Sequence, residues 1–148
     1  MKPVFQTCVD SGKGDCQRAQ LASVFELDIS QVPNFILYKD ADWFSVYWYF
    51  LLALGYEYVG NAGPDRHNDP NRRNYKSIDG YFLAQVKSKT FDKKVHAVVM
   101  DEGGIVVHDP NPNQRYLGIN VVESGDLVGV DIVEKKDMDK GDVRNERT

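Results

Sequence analysis

Apolar residues recur at three- and four-residue spacing after the turn Gly14-Asp15. Ala19, Ala22 and Phe25 form one stripe, with Leu21 and Val24 beside it. This spacing predicts an amphipathic helix from Cys16 to about Phe25. Asp15 is placed to cap it, its carboxylate accepting from the free amides of the first turn. Ser30 or Gln31 begins a short helical turn that tolerates Pro33 at its start and continues over Asn34–Lys39. Trp43 to Leu54 is apolar or aromatic at nearly every position, with Asp40 or Asp42 as cap and Gly55 as stop. A helix apolar all round is expected to be buried, so this one is expected at the centre of the core. The sharper reading gives one of its faces to a substrate groove or an oligomer contact.

The period then shortens to two. Tyr56–Val59 alternates as a short strand. Residues 60–79 are rich in Gly, Pro, Asn and Asp, and read as one long loop. Arg66, Arg72, Arg73 and Lys76 stand there against Asp65 and Asp69. Such a loop is either a solvated connection or a lid that recognises an acidic or extended partner. Beyond it, Tyr81–Lys87, Val95–Met100 and Ile105–His108 read as strands, with Asp101-Glu102-Gly103-Gly104 as the hairpin turn between the last two. Arg115–Leu117 and Leu127–Val133 are further expected strands. Helices followed by an antiparallel sheet make an α+β layout. One domain is expected over residues 1–133, and the charged residues 134–148 are expected to be a disordered tail.

Composition narrows the function classes. The chain of 148 residues carries 22 Asp and Glu against 18 Lys and Arg, a net charge of -4 and a pI of about 5.3. That balance argues against general nucleic-acid binding. The longest apolar run, Val46–Leu54, is far shorter than the ~20 residues of a membrane span. The first residues lack the apolar core of a signal peptide. A cytoplasmic, reducing setting away from membranes is the expectation. Two cysteines, Cys8 and Cys16, are too few for a disulfide scaffold, although they can bridge each other. The residue types show no paired metal-ligand spacing, and no cofactor is expected. The oligomeric state is open.

Cys16 at the first helical position lies at the positive end of the helix dipole, which favours thiolate over thiol. A thiol hydrolase also needs an imidazole base, a group that orients it, and donors for the oxyanion. His96, near the start of a strand, is the candidate base. Asp109 ends the next strand, and the short hairpin brings it beside His96 as candidate orienter, with Asn111 as a second possibility. Gln6 and the backbone amide of Cys16 are candidate oxyanion donors. Cys8 opens no helix and is the weaker nucleophile. His108 points to the other face of its strand and reads as structural, and His67 as solvated.

Gln6, then Gly14-Asp15-Cys16 opening a helix, then Val95-His96-Ala97-Val98-Val99, then His108-Asp109-Pro110 resembles the papain-like cysteine peptidase superfamily. The nearest likeness is to its bacterial branch of double-glycine leader peptidases. The resemblance implies a helical half packed on an antiparallel sheet, with the active site in the cleft between them. It implies Cys16 as nucleophile, His96 as base, Asp109 as orienter and Gln6 as oxyanion donor, acting on a peptide or protein. A non-catalytic binding module on the same scaffold, and a thiol acyltransferase or deamidase, are the alternatives.

Overall fold

The second half of the chain supplies the frame. The computed structural model describes residues 1–9, 14–38, 42–64, 77–89, 91 and 93–136. Helix α1 is Cys16–Val24, followed by single 3-10 turns at Ile29–Gln31 and Phe35–Leu37, and by helix α2, Asp42–Ala53. The strands are β1 (Tyr56–Ala62), β2 (Phe82–Lys87), β3 (Val95–Met100), β4 (Val106–His108) and β5 (Leu127–Lys135). They form one antiparallel sheet in the order β1-β5-β2-β3-β4. The architecture is mixed α+β.

A strand in the middle of a sheet covered on both sides reads as a continuous apolar run. β2 does so: Phe82, Leu83, Ala84 and Val86 are all buried. One face of the sheet packs Leu83, Val99 and Val133 against Leu21, Ala22 and Val24 of α1 and Tyr47 and Leu51 of α2. The opposite face packs Ala84, Val98 and Val130 under Tyr116 and Val121, which the chain between β4 and β5 brings over. That connection holds a short unexpected helix, α3 (Val121–Ser124), capped by the Asn120 side chain.

α2 departs from its expected central place. Only Tyr47 and Leu51 are buried, while Trp43, Phe44 and Tyr49 are exposed. The helix packs on β1, an edge strand, and on the turn at Phe35–Leu37. An element at the rim of a sheet has a partner on one side only, so its composition does not decide its burial. Asp42 is the first helical residue rather than the cap; Asp40 lies outside the described residues.

Three further expectations are corrected. Gly60–Ala62 belongs to β1 and pairs with Ile132, Asp131 and Val130, so the loop begins later; residues 65–76, with His67, lie outside the described residues. Arg115–Leu117 is a turn, because Asp109 captures the Tyr116 amide at 3.1 Å and Gln114 adopts a left-handed φ of 50°. Glu134 and Lys135 continue β5 opposite Glu57 and Tyr56, so the expected tail starts in the sheet; residues 137–148 lie outside the described ones. No helix among the described residues is long and apolar enough to cross a membrane.

Candidate active site

The helix opens at Cys16 as expected, but Asp15 does not cap it with its side chain. The buried carboxylate turns away and accepts from Thr7 N (2.8 Å), Thr7 Oγ1 (2.6 Å) and Cys8 N (3.0 Å). Two amides and a hydroxyl from the N-terminal segment outbid the first-turn amides for it. Asp15 therefore straps residues 7 and 8 against the start of α1. The backbone amide of Gln17 is left to point at the Cys16 sulfur, and Ala97 of β3 offers a second amide to it.

His96 is the second residue of β3. β4 pairs with β3 only at Val99 and Met100, so the beginning of β3 has no β4 partner. The chain leaves β4 at His108 and turns back through Asp109-Pro110, which places the Asp109 carboxylate 2.6 Å from His96 Nε2. Asp109 is itself buried and held by the amides of Asn111 (3.0 Å) and Tyr116 (3.1 Å). With Nε2 taken, Nδ1 is the imidazole nitrogen left for the hydrogen bond with Cys16. Cys16, His96 and Asp109 thus form one contiguous group, with the His96–Asp109 hydrogen bond holding the ring beside the thiol.

The electrostatics follow from this group. Burial alone pushes the Cys16 thiol up. The hydrogen bond and charge of His96, with the two amides, outweigh burial and bring it below the ordinary thiol value. Burial likewise works against the imidazolium, but Asp109 and Cys16 raise His96 to about 9. Burial raises Asp109, and His96 with the Asn111 and Tyr116 amides brings it below the usual carboxylate range. A thiolate beside an imidazolium is the form these shifts favour at neutral pH.

The other sequence candidates are also placed. The Gln6 backbone amide donates to Pro110 O at 2.9 Å, and the side chain lines the cleft with Cys16. Its Nε2 donates to Cys8 O at 2.8 Å, and its Oε1 is buried with no hydrogen-bond partner. Cys8 and Cys16 are both free thiols. Asn111 supports Asp109 through its backbone, while its side chain accepts from Asn113 N at 2.9 Å, so it does not orient His96. His108 is buried, its Nε2 2.7 Å from Val4 O and its ring edge-on to Phe5.

Two groups of residues were not anticipated. Gln20 is fully buried and donates from Nε2 to Ala84 O (3.1 Å) and Val98 O (2.7 Å), tying α1 to β2 and β3. Its position four residues after Cys16, on the same helix face, was the available signal. The second group is Asp131 with Tyr47, Asn61 and Gln85, gathered from α2 and three strands. No sequence spacing links them.

A cleft runs along both sides of Cys16 and His96. The smaller lobe, about 260 Å³, is lined by Gln6, Phe91, Lys89, Lys94 and Arg115. The larger, about 650 Å³, is lined by Phe35, Tyr38, Trp43, Phe44, Tyr58 and Asp131. No protein-family model, curated protein or solved structure matches the chain.

Proposed function

We propose that the protein is a papain-like thiol hydrolase that cleaves a peptide or amide bond through a thioester on Cys16. The observation that carries this reading is the group Cys16, His96, Asp109, assembled from three separate stretches at the floor of a two-lobed cleft. A helical layer bearing Cys16 against an antiparallel sheet bearing His96 supports the papain-like assignment. Two free cysteines support a cytoplasmic setting.

The thiolate attacks the carbonyl carbon, and the carbonyl oxygen takes the negative charge. The Cys16 backbone amide at the helix start, and the Gln6 amide hydrogen not committed to Cys8, stabilise it. His96 passes its Nδ1 proton to the leaving nitrogen, the C–N bond breaks and a thioester remains. Water then attacks the thioester, His96 takes a proton from it, and the acid leaves as the thiolate is restored. Asp109 accepts from Nε2 throughout, holding the ring in one orientation and stabilising its charge.

The test is digestion of a defined peptide library in heavy-oxygen water by the wild type, Cys16→Ser and His96→Ala, read by mass spectrometry. Hydrolysis gives new C-termini that carry heavy oxygen with the wild type alone. Deamidation without chain cleavage would assign the chemistry to side-chain amides. No product from the wild type, with Cys16 as unreactive as an ordinary thiol, would overturn the reading.

A further inference from the structure

We infer that the larger lobe of the cleft is a recognition pocket for a cationic group, an alkylammonium or guanidinium of the bound chain, seated among aromatic rings against the Asp131 carboxylate. As a specificity pocket it rests on the hydrolase reading; as a cation site it stands without it.

Asp131 sits on β5 at the floor of the lobe. Its Oδ2 accepts from Tyr47 Oη at 2.8 Å and its Oδ1 from Asn61 Nδ2 at 2.8 Å, and Gln85, whose Oε1 accepts from the same Asn61 Nδ2 at 2.9 Å, lies beside it. These donors are all neutral. Burial raises the carboxyl pKa, and the donors do not fully cancel it. Tyr58 from β1 also faces the group. Among the described residues, no Lys, Arg or His lies within ion-pair distance of Asp131. The two cations lining the lobe are engaged elsewhere: Arg18 with Val32 O and Asp15, His96 with Asp109 and Cys16. A half-buried carboxylate held by neutral dipoles gains from a cation that arrives with the ligand.

The walls have the matching chemistry. Phe44 and Tyr58 meet edge to face at 5.1 Å, and Trp43 stacks on Tyr47 at 6.4 Å, so ring faces and a carboxylate border one space. Trp43 is 40 % and Phe44 38 % exposed, which leaves these rings accessible to a guest. Aromatic faces attract desolvated cations by about 0.5–2 kcal/mol. The floor is also shaped for the purpose: Gly129 of β5 has no side chain where the Asn61 amide crosses toward Asp131, and a Cβ there would collide with it. The pocket reaches the reacting centre. Gln85 pairs with Ala97, whose amide points at the Cys16 sulfur, and β5 is the next strand beyond β2. Asp131 pairs with Leu83, two residues along β2 from Gln85, so the path is two strand spacings across and two residues along, about 12 Å, or about four residues of extended chain. The cation therefore belongs to a residue within about four positions of the scissile bond.

Binding of benzylammonium and of its neutral counterpart benzyl alcohol, by titration calorimetry on the wild type and Asp131→Asn, tests this directly. Benzylammonium is expected to bind the wild type about tenfold or more tighter than benzyl alcohol, and Asp131→Asn to bring the two together. Equal affinities in the wild type, a preference that survives in Asp131→Asn, or no saturable binding of benzylammonium would overturn the inference. Should Asp131→Asn not fold, Trp43→Leu on exposed α2 replaces it. Benzylammonium affinity is then expected to drop severalfold, and an unchanged value counts against the pocket. The measurement needs no catalysis. Failure here leaves the Cys16 chemistry standing, and ordinary thiol behaviour at Cys16 leaves the cation pocket standing.

Discussion

Asp109→Asn removes one charge and keeps the shape of the side chain. The carboxylate accepts from His96 Nε2 at 2.6 Å and from the Tyr116 and Asn111 amides; an asparagine has one oxygen to divide among them. A buried charge-assisted hydrogen bond contributes about 1.5–3 kcal/mol. At about 1.4 kcal/mol per pKa unit, its loss lowers the imidazole by about one to two units from the about 9 it holds in the wild type. The thiolate–imidazolium pair competes with the uncharged thiol–imidazole pair, which holds the same number of protons. A weaker imidazole moves that balance about ten- to a hundredfold toward the uncharged pair. Alkylation of Cys16 by iodoacetamide, followed by peptide mass spectrometry from about pH 5 to about pH 9, reads the thiolate directly. The wild type is expected to be near its plateau at neutral pH, and the variant about tenfold slower there. Above the free-thiol pKa of ~8.5 the two are expected to converge, because the thiol then ionises without help from the imidazole. Cys8 in the same digest reports any general loosening of the fold. Superimposable profiles, or a wild-type Cys16 that titrates as a free thiol, would refute the argument that Asp109 sets the state of the pair.

The same shifts make the site a pH-dependent contribution to stability. His96 rises from 6.5 to about 9, so its contribution is full below pH 6.5 and is lost as pH climbs through about 9. Asp109 is lowered from 3.8, so its contribution is present above that value and lost as acid protonates it. The stability gap between wild type and His96→Gln in urea melts is therefore expected to be widest between those limits. It is on the order of 3 kcal/mol for the Cys16–His96–Asp109 unit taken once; a gap independent of pH contradicts the linkage. Gln20→Ala leaves a cavity under α1 and is expected to cost about 2–4 kcal/mol. Gln20→Met fills the space and also removes the buried, unpartnered Oε1, so it is expected to cost less than half of that in the same melts. Asp15→Ala deprives Thr7 and Cys8 of their acceptor. Faster hydrogen exchange at those two amides is expected, with a stability loss of about 1–3 kcal/mol.

The positions of Cys16, His96 and Asp109 were legible because each depends on local cues. Gly14-Asp15 breaks the chain before a helix, and the glycine-rich turn at Gly103-Gly104 folds β3 onto β4. The hairpin brings Asp109 to the same end of the sheet as His96, and the turn at Asp109-Pro110 completes the contact. What stayed hidden depends on distant partners. The Asp15 carboxylate reads as a helix cap until Thr7 and Cys8 come within reach. The composition of α2 describes a buried helix, but its burial was decided by its place on an edge strand. Arg115–Leu117 alternates like a strand, yet the Tyr116 amide is taken by Asp109. Asp131 meets Tyr47, Asn61 and Gln85 only because β5, last in the sequence, inserts between β1 and β2. No periodicity in one segment encodes that insertion.

The placement of Cys16 and His96 explains how one small domain serves both rigidity and access. α1 is buried at every residue from Ala19 to Val24, and β3 at every residue from Ala97 to Met100. Cys16 and His96 stand where these elements emerge from the core, at the first residue of one and the second of the other. A reacting group on the end of a buried element inherits its positional precision and remains reachable. The two elements are joined across the sheet by Gln20, which donates to Val98 O two residues beyond His96. Gln20 therefore ties the helix that carries Cys16 to the strand that carries His96 without passing through either side chain. Changes there should register in the alkylation rate of Cys16 even when stability is restored by Gln20→Met. Changes of similar cost at Leu51, on the buried face of α2, should lower stability and leave that rate alone. If both variants slow alkylation equally, the site responds to global stability, and the docking of α1 on β3 does not set the separation of thiol and imidazole.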